Sequence, residues 1–246
     1  MIDYRADLHI HTVLSPCGDL EMSPAAIIHE ACRKGIDIIG ISDHNSTRHA
    51  VMTAEIGREN GIFVLPGVEI NTEEEVHCLA FFENSDQLDK FQAYLDDHLP
   101  DIANDPVKFG YQVVLDRKER IIYEEGRLLF NAIKQPLELV EQRVHALGGL
   151  FIPAHIDRPK NSIMSQLGFF PRDLPVDAVE ISRRTKPGEY LDLHPEIKSH
   201  VVITSSDAHY LADIGAACTT FRMKSRSFDE IRKAFMMLNG REVIAV

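Results

Sequence analysis

Seven short runs of apolar, largely β-branched residues recur along the chain, and nothing else in it constrains the fold as much. They are "RADLHI" (5–10), "IDIIGIS" (36–42), "FVLPGVEI" (63–70), "VHCLAFF" (76–82), "GLFIPAH" (149–155), "DAVEIS" (177–182) and "VVITSS" (201–206). Several are apolar almost throughout, as parallel strands covered on both faces must be. The closing "EVIAV" (242–246) is a candidate eighth. Helix signals fall between the runs. In "SPAAIIHEACRKG", Ser23 stands as N-cap, Pro24 at the first helical position and Gly35 as the stop. In "SFDEIRKAFMMLNG", Ser227 and Glu230 have capping-box spacing and Gly240 marks the end. This alternation predicts an α/β fold with a parallel sheet or barrel and crossover helices.

Residues 85–147 break the rhythm. They hold no convincing strand but show helical character in "SDQLDKFQAYLDDHL" and from "DRKERIIYEEGRLLFNAI" to "LELVEQRVHALGG", with Pro100, Pro106 and Pro136 as punctuation. The expected organisation is a main unit of residues 1–84 and 148–246, interrupted by a helical insertion or subdomain at 85–147.

The polar residues are placed as distinctively as the apolar ones. His9 and His11 end the first run and Asp19 follows it. "ISDHN" supplies Asp43 and His44, "GVEI" supplies Glu69, and His77 lies in the fourth run. "PAH" supplies His155, and "SSDAH" supplies Asp207 and His209. In α/β architectures the strand ends are where sites are assembled. One strand histidine is a core or surface residue more often than a ligand. Six histidines and three carboxylates gathered at one edge cost several kcal/mol each unless they are paired or hold metal. Mixed imidazole and carboxylate donors suit Zn²⁺, Mn²⁺ or Fe²⁺. Nine donors exceed one tetrahedral shell, so two or three ions are expected.

In this order, "HIHT…D", "GISDHN", "GVEI", "PAH" and "SDAH" resemble the motifs of the PHP (polymerase and histidinol phosphatase) family, in separated blocks across residues 6–209. The resemblance implies a distorted seven-stranded (βα) barrel, TIM-like, with a trinuclear metal centre that hydrolyses phosphoester bonds. It implies His9, His11, Glu69 and Asp207 around one ion, and Asp19, His44 and His209 on a second. Glu69 would bridge to a third ion completed by His77 and His155. The position given to Asp19 is histidine in some members. The long 85–147 segment resembles the inserted region of the family's small-molecule phosphatases.

The remaining candidates carry competing readings. Asp43 can orient a neighbouring imidazole, act as a general acid, or cap a helix starting in "DHNSTRHA". Arg158 leads as a phosphate-binding residue, followed by Arg183 and Arg48; each can equally be a surface ion pair. His29, His49, His98, His145, His194 and His200 match no motif and read as ordinary surface or helix residues. The four cysteines (Cys17, Cys32, Cys78, Cys218) form no CxxC pair and read as reduced bystanders, Cys17 and Cys78 included although both lie beside expected ligands.

Composition narrows the function. A chain of 246 residues, 44% apolar and 26% charged, has the make-up of a soluble globular protein. No apolar run reaches the about 18 residues of a membrane span. The start "MIDYRADLHIH" lacks signal-peptide features, so the expected location is cytoplasmic and no membrane partner is expected. The net charge of −12 argues against long nucleic acid as a partner, while ions in a pocket still allow a small anion. The leading expectation is a hydrolase of a small phosphorylated metabolite, such as a nucleotide or a phosphorylated amino-acid intermediate, acting through a metal-bridging hydroxide. The alternatives are an exonuclease or phosphodiesterase on short oligonucleotides, and a non-catalytic metal-binding regulatory module. The sequence leaves the oligomeric state open.

Overall fold

The computed structural model describes residues 1–245. The chain runs β1 (Ile2–Ile10), α1 (Pro24–Arg33), β2 (Ile38–Ile41), α2 (Ala50–Glu59), β3 (Phe63–Asn71) and β4 (His77–Phe81). Then come α3 (Ser85–His98), α4 (Pro106–Phe109), β5 (Val113–Leu115), β6 (Ile121–Glu124), α5 (Leu137–Ala146) and β7 (Leu150–Pro153). It finishes with α6 (Ile163–Leu167), β8 (Val179–Ser182), α7 (Pro187–Leu193), β9 (Val202–Ser205), β10 (Thr219–Met223), α8 (Phe228–Phe235) and β11 (Glu242–Ala245). Each of the seven expected strands forms. The eighth forms too, except that Val246 lies outside the described residues.

Seven strands make one curled sheet in the order β11-β10-β1-β2-β3-β4-β7. The sheet is mixed, which corrects the expectation of an all-parallel one. Strands β1, β2 and β3 are mutually parallel, whereas β4 is antiparallel to both β3 and β7, and β10 is antiparallel to β1 and β11. The physical reason is loop length. Only a short turn separates Asn71 from His77, enough for a hairpin and too little for a crossover. Reversal of β4 has a useful result, because its first residue, His77, pairs with Asn71 and so sits at the C-terminal edge of β3.

The parallel pair β8–β9 lies across the open side of the curl. Ile156 N–H donates to Glu180 O (2.8 Å) on one flank, and His11 N–H donates to Ala208 O (3.0 Å) on the other. Inside the curl, Leu8, Leu65, Leu79, Phe81, Ile152, Ile203 and Phe221 form a dry plug. The second large cluster, including Ile10, Ile39, Ile41, Val64 and Phe151, packs the outer face under the helices. Leu8 and Ile10 thus face opposite sides, which regular alternation forbids. The pairing of β1 with β2 shifts register between Asp7 and Ile10, and this irregularity turns His9 to the interior. Gly40 allows it, since a Cβ there would lie 2.3 Å from the Leu8 carbonyl oxygen.

The helix signals hold with two corrections. Ser23 caps α1 through Ala26 N–H, and Gly35 ends the turn at φ +62°. Ser227 caps α8 through Glu230 N–H, but the Glu230 side chain does not return the bond; it pairs with Arg241, and the helix stops at Phe235 rather than near Gly240. The Asp43 region starts no helix. Helix α2 begins at Ala50, with His49 in the capping position.

Residues 85–147 are not uniformly helical. Between α3 and α5 they contain the β5–β6 hairpin, which the short run "VVL" and the exposed face of β6 concealed. Asp116 breaks the expected helix by accepting from Lys118 N–H (2.8 Å) and Arg120 N–H (3.0 Å). Among the described residues, no helix is long and apolar enough to cross a membrane.

Candidate metal centre

Above the apolar plug, at the C-terminal edge of β1, β2, β3, β7 and β8, the interior becomes polar. Glu69 is its hub. Glu69 Oε1 lies 2.9 Å from His77 Nδ1, 3.1 Å from His155 Nε2 and 3.4 Å from His9 Nε2. Glu69 Oε2 lies 3.1 Å from His44 Nδ1 and 3.3 Å from His11 Nε2. Asp207 Oδ1 stands 3.4 Å from His9 Nε2 and 3.3 Å from His11 Nε2. All of these residues except Asp207 are at least nine-tenths buried.

The protons in this cluster can be assigned from its neighbours. His9 Nδ1 faces Glu180 Oε2 at 3.0 Å and must donate to it, leaving a lone pair on Nε2. The Ser15 hydroxyl donates to Asp43 Oδ1 (2.7 Å), so it accepts from His11 Nδ1 (3.0 Å), again leaving a lone pair on Nε2. These two Nε2 atoms face each other at 3.2 Å, beside oxygens of Glu69 and Asp207. Four such atoms pointed at one another repel unless a proton or a metal cation lies between them. The donor set therefore fits divalent metal, and Glu180 and Ser15 act as the supports that aim the imidazoles.

Three further buried atoms lack a hydrogen bond: His44 Nδ1, His155 Nδ1 and Glu180 Oε1. His44 Nδ1 is near Glu69 but not in a direction that makes the bond. Asn45, His155 and Asp207 have φ of +46°, +32° and +52°, left-handed values for non-glycine residues in the loops that follow β2, β7 and β9. Such strain persists where surrounding structure enforces it, as at functional sites.

The electrostatics follow from burial and proximity. Burial alone would raise Glu69, but the imidazoles of His77, His9 and His44 hold it well below the usual carboxylate range. Asp207 is likewise held well below, by His9 and His11 against the effect of burial. His11 is pushed down to about 4, by burial and then by His209. Asp43 is pushed up to about 6 by burial.

Of the nine expected ligands, eight converge: His9, His11, His44, Glu69, His77, His155, Asp207 and His209. The ring of His209 stacks on His11 with centroids 4.3 Å apart. Asp19 does not join them; its Oδ1 accepts from Glu21 N–H (2.9 Å) in its own loop. Cys17 does. Its Sγ and one nitrogen each of His11, His44 and His209 lie within 4.8 Å of one another. Asp43 touches no ligand imidazole. It accepts from Thr12 N–H (2.7 Å), the Thr12 hydroxyl (2.8 Å) and Ser15, and acts on His11 only through Ser15.

The arginines separate. Arg158 NH1 bonds Asp207 Oδ2 (2.7 Å) at the rim. Arg183 pairs with Asp213 (2.9 Å) along the same rim. Arg48 is elsewhere: it pairs with Asp96 (2.9 Å) and lies over the Tyr123 ring, so its assignment to substrate phosphate is withdrawn. Two residues escaped the sequence reading. Glu180 was visible as a charge inside the apolar run "DAVEIS", and that was its signal. His49, read as an ordinary surface or helix residue, is fully buried and bonded to Thr12 (2.6 Å); no motif marks it.

Fold and site together define an α/β protein with a multi-histidine, carboxylate-centred metal site. The sequence profile of the PHP domain matches residues 7–131, and that of the PHP-associated segment matches residues 198–237. The chain belongs to the PHP domain family, a family of metal-dependent phosphoric ester hydrolases. The uncharacterized protein MJ1587 of Methanocaldococcus jannaschii is 38% identical over 33% of this chain and 52% of its own length. YqxK of Bacillus subtilis is 26% identical over 98% of this chain and 64% of its own length. The chain thus spans between half and two thirds of these relatives.

Among solved structures, the lesion-specific endonuclease PfuEndoQ of Pyrococcus furiosus superimposes with a TM-score of 0.71 at 19% identity, over 98% of this chain and 58% of that one. Endonuclease Q in complex with a 27-mer duplex bearing an abasic lesion gives a TM-score of 0.69 at 20% identity, with the same coverage. This overturns the expectation that long nucleic acid is excluded as a partner. Net charge sums the whole surface, whereas a duplex meets only the local potential at a site, which bound cations can reverse.

Proposed function

We propose that this chain is a metal-dependent phosphodiesterase that cleaves nucleic acid at the Glu69 centre. The observation that carries the reading is the shape and lining of the rim. Arg158, Arg183 and Arg184 line a pocket of about 170 Å³ with Asp207, His209 and Tyr210. That pocket shares Ser182, Arg183 and Arg184 with a groove of about 1000 Å³ that also carries Arg5 and Lys186. Asp3, Asp37 and Glu189 line the groove as well, so its charge is mixed, and it is its length, continuous with the pocket at Asp207 and His209, that suits a polymeric substrate better than a small one. The likeness to endonuclease Q supports the same reading through the fold alone.

Divalent ions held by the eight converging residues would supply Lewis acidity toward a phosphoryl oxygen and an activated water at neutral pH. The chain's own residues do the rest. Glu180 and Ser15 fix the His9 and His11 tautomers so that both Nε2 lone pairs face inward. Arg158 keeps one arm on Asp207 and offers its remaining N–H donors to a phosphate oxygen. Phe130, its ring 4.7 Å from that of His44, covers the far side. Asn45 holds that cover in place by donating to Leu129 O (2.8 Å) and Asn131 O (2.9 Å), which supports residues 85–147 as an insertion closing one flank.

Hydrolysis of a small phosphorylated metabolite is the second reading, favoured by the pairing of Arg158 and Arg183 with Asp207 and Asp213, which leaves less positive charge for a long backbone. The test is a comparison of metal-loaded protein on duplex DNA, a short single-stranded oligonucleotide, a nucleoside monophosphate and histidinol phosphate. Preference for the polymers supports the proposal. Release of phosphate from the monoesters with the polymers left intact replaces it by the second reading.

A further inference from the structure

We propose that Cys17, rather than Asp19, completes the second metal position with His44 and His209, beside His11, as a thiolate ligand to a thiophilic divalent ion such as Zn²⁺. The inference rests on the metal-centre reading and assigns one of its donors.

Local backbone geometry delivers the thiol. Ser15, Pro16, Cys17 and Gly18 form a tight turn closed by Gly18 N–H to Ser15 O (2.8 Å), with Pro16 at the position that favours proline. Only glycine fits its last position, because a Cβ at Gly18 would lie 2.2 Å from Thr12 O. The next residue docks the turn on the site, as Asp19 N–H donates to His209 O (2.9 Å). Cys17 Sγ is thereby set beside His209, while Asp19, one oxygen of which accepts within its own loop, is in none of the close donor groups.

His44 belongs to this group as well: it is 3% exposed, one of its ring nitrogens lies within the Cys17 group, and its Nδ1, 3.1 Å from Glu69 Oε2, makes no hydrogen bond. The other intermediate or exposed thiols have partners: Cys32 faces Asn60 O (3.7 Å) and Cys218 faces Gly215 O (3.9 Å). Among the described residues Cys17 has none. Metal–nitrogen and metal–sulfur lengths of about 2.0 and 2.3 Å put tetrahedral donors about 3.3–3.6 Å apart. Donors already within 4.8 Å need to close by only about 1 Å. On binding, the Sγ–H bond breaks, its proton leaves to solvent, and the sulfur lone pair forms the bond to the ion. A sulfur donor tilts that position toward Zn²⁺ and away from Mn²⁺ or Mg²⁺.

The test uses the full chain, stripped with chelator and titrated with Co²⁺. Wild type and Asp19→Asn should both develop the near-ultraviolet thiolate-to-cobalt charge-transfer absorption. Cys17→Ser should lose it and bind one ion fewer per chain. Persistence of the absorption in Cys17→Ser, its absence from cobalt-loaded wild type, or loss of an ion in Asp19→Asn alone overturns the assignment. No uptake of cobalt by wild type overturns the metal-centre reading itself, a distinguishable failure. A measurement on wild type alone guards against misfolding of the variant. Alkylation mapped by mass spectrometry should mark Cys17 in stripped protein and spare it after Zn²⁺ loading, with Cys32 marked in both. Equal labelling of Cys17 in the two states also overturns the proposal.

Discussion

His49 should make the fold acid-sensitive, and the size of the effect can be worked from its surroundings. Its Nε2 accepts from Leu115 N–H (2.8 Å), so the neutral ring carries its proton on Nδ1 and donates to the Thr12 hydroxyl (2.6 Å), which in turn donates to Asp43. This chain ties β5 of the 85–147 segment to the loop that carries His11. A second proton on Nε2 would face the Leu115 N–H, and burial pushes His49 down to about 4. An open chain protonates near pH 6.5. The unfolded state therefore takes the proton first, and stability present above pH 6.5 is lost as pH falls toward 4. The loss is about 2 kcal/mol at pH 5 and about 3 kcal/mol when complete. Asp43, raised to about 6, titrates in the same window with the opposite sign, so the quantity to measure is a difference between proteins. Urea unfolding of chelator-stripped wild type and His49→Gln at pH 7 and pH 5 supplies it. Wild type should lose about 2 kcal/mol more than the variant between the two pH values, and the Leu115 amide should exchange faster at pH 5 in wild type only. Equal pH dependence in both proteins would refute the reasoning.

Three other outcomes follow from the same geometry. Arg158→Ala should cut phosphodiester turnover by about 10- to 100-fold, the worth of one charged hydrogen bond, while metal content by elemental analysis stays unchanged. Glu180→Gln weakens the acceptor that aims His9 and should lower metal affinity by about 10- to 100-fold in a competitive chelator titration. Gly18→Ala forces a Cβ against Thr12 O and should destabilise the chain by about 1–3 kcal/mol, read as a lower Tm; an unchanged Tm would mean that the turn opens freely.

What the sequence made legible was whatever depends on local pattern. Every apolar run became a strand, and eight of the nine expected ligands converged, because strand ends and their polar residues are neighbours along the chain. What it concealed depends on partners far away in sequence. Strand direction at β4 was set by a short turn rather than by apolar content, which parallel and antiparallel buried strands share. The inward turn of His9 needed a register shift made possible by Gly40, thirty-one residues on. Glu180 supports His9 across 171 residues, and His49 meets Leu115 across 66. Asp19 and Cys17 are two residues apart, and only the turn at Gly18 shows which of them faces the histidines. Net charge misled for a different reason, since it carries no information about where the charges lie.

The most direct test of the central claim is cleavage of end-labelled DNA by metal-loaded protein, with Glu69→Gln and chelator-stripped protein beside it. Glu69 touches five imidazoles, so its loss should dismantle the centre. Shortened labelled strands with wild type, and none with the variant or the stripped protein, are the predicted result. Full-length DNA after incubation with fully metal-loaded wild type, or equal cleavage by Glu69→Gln, would contradict the claim.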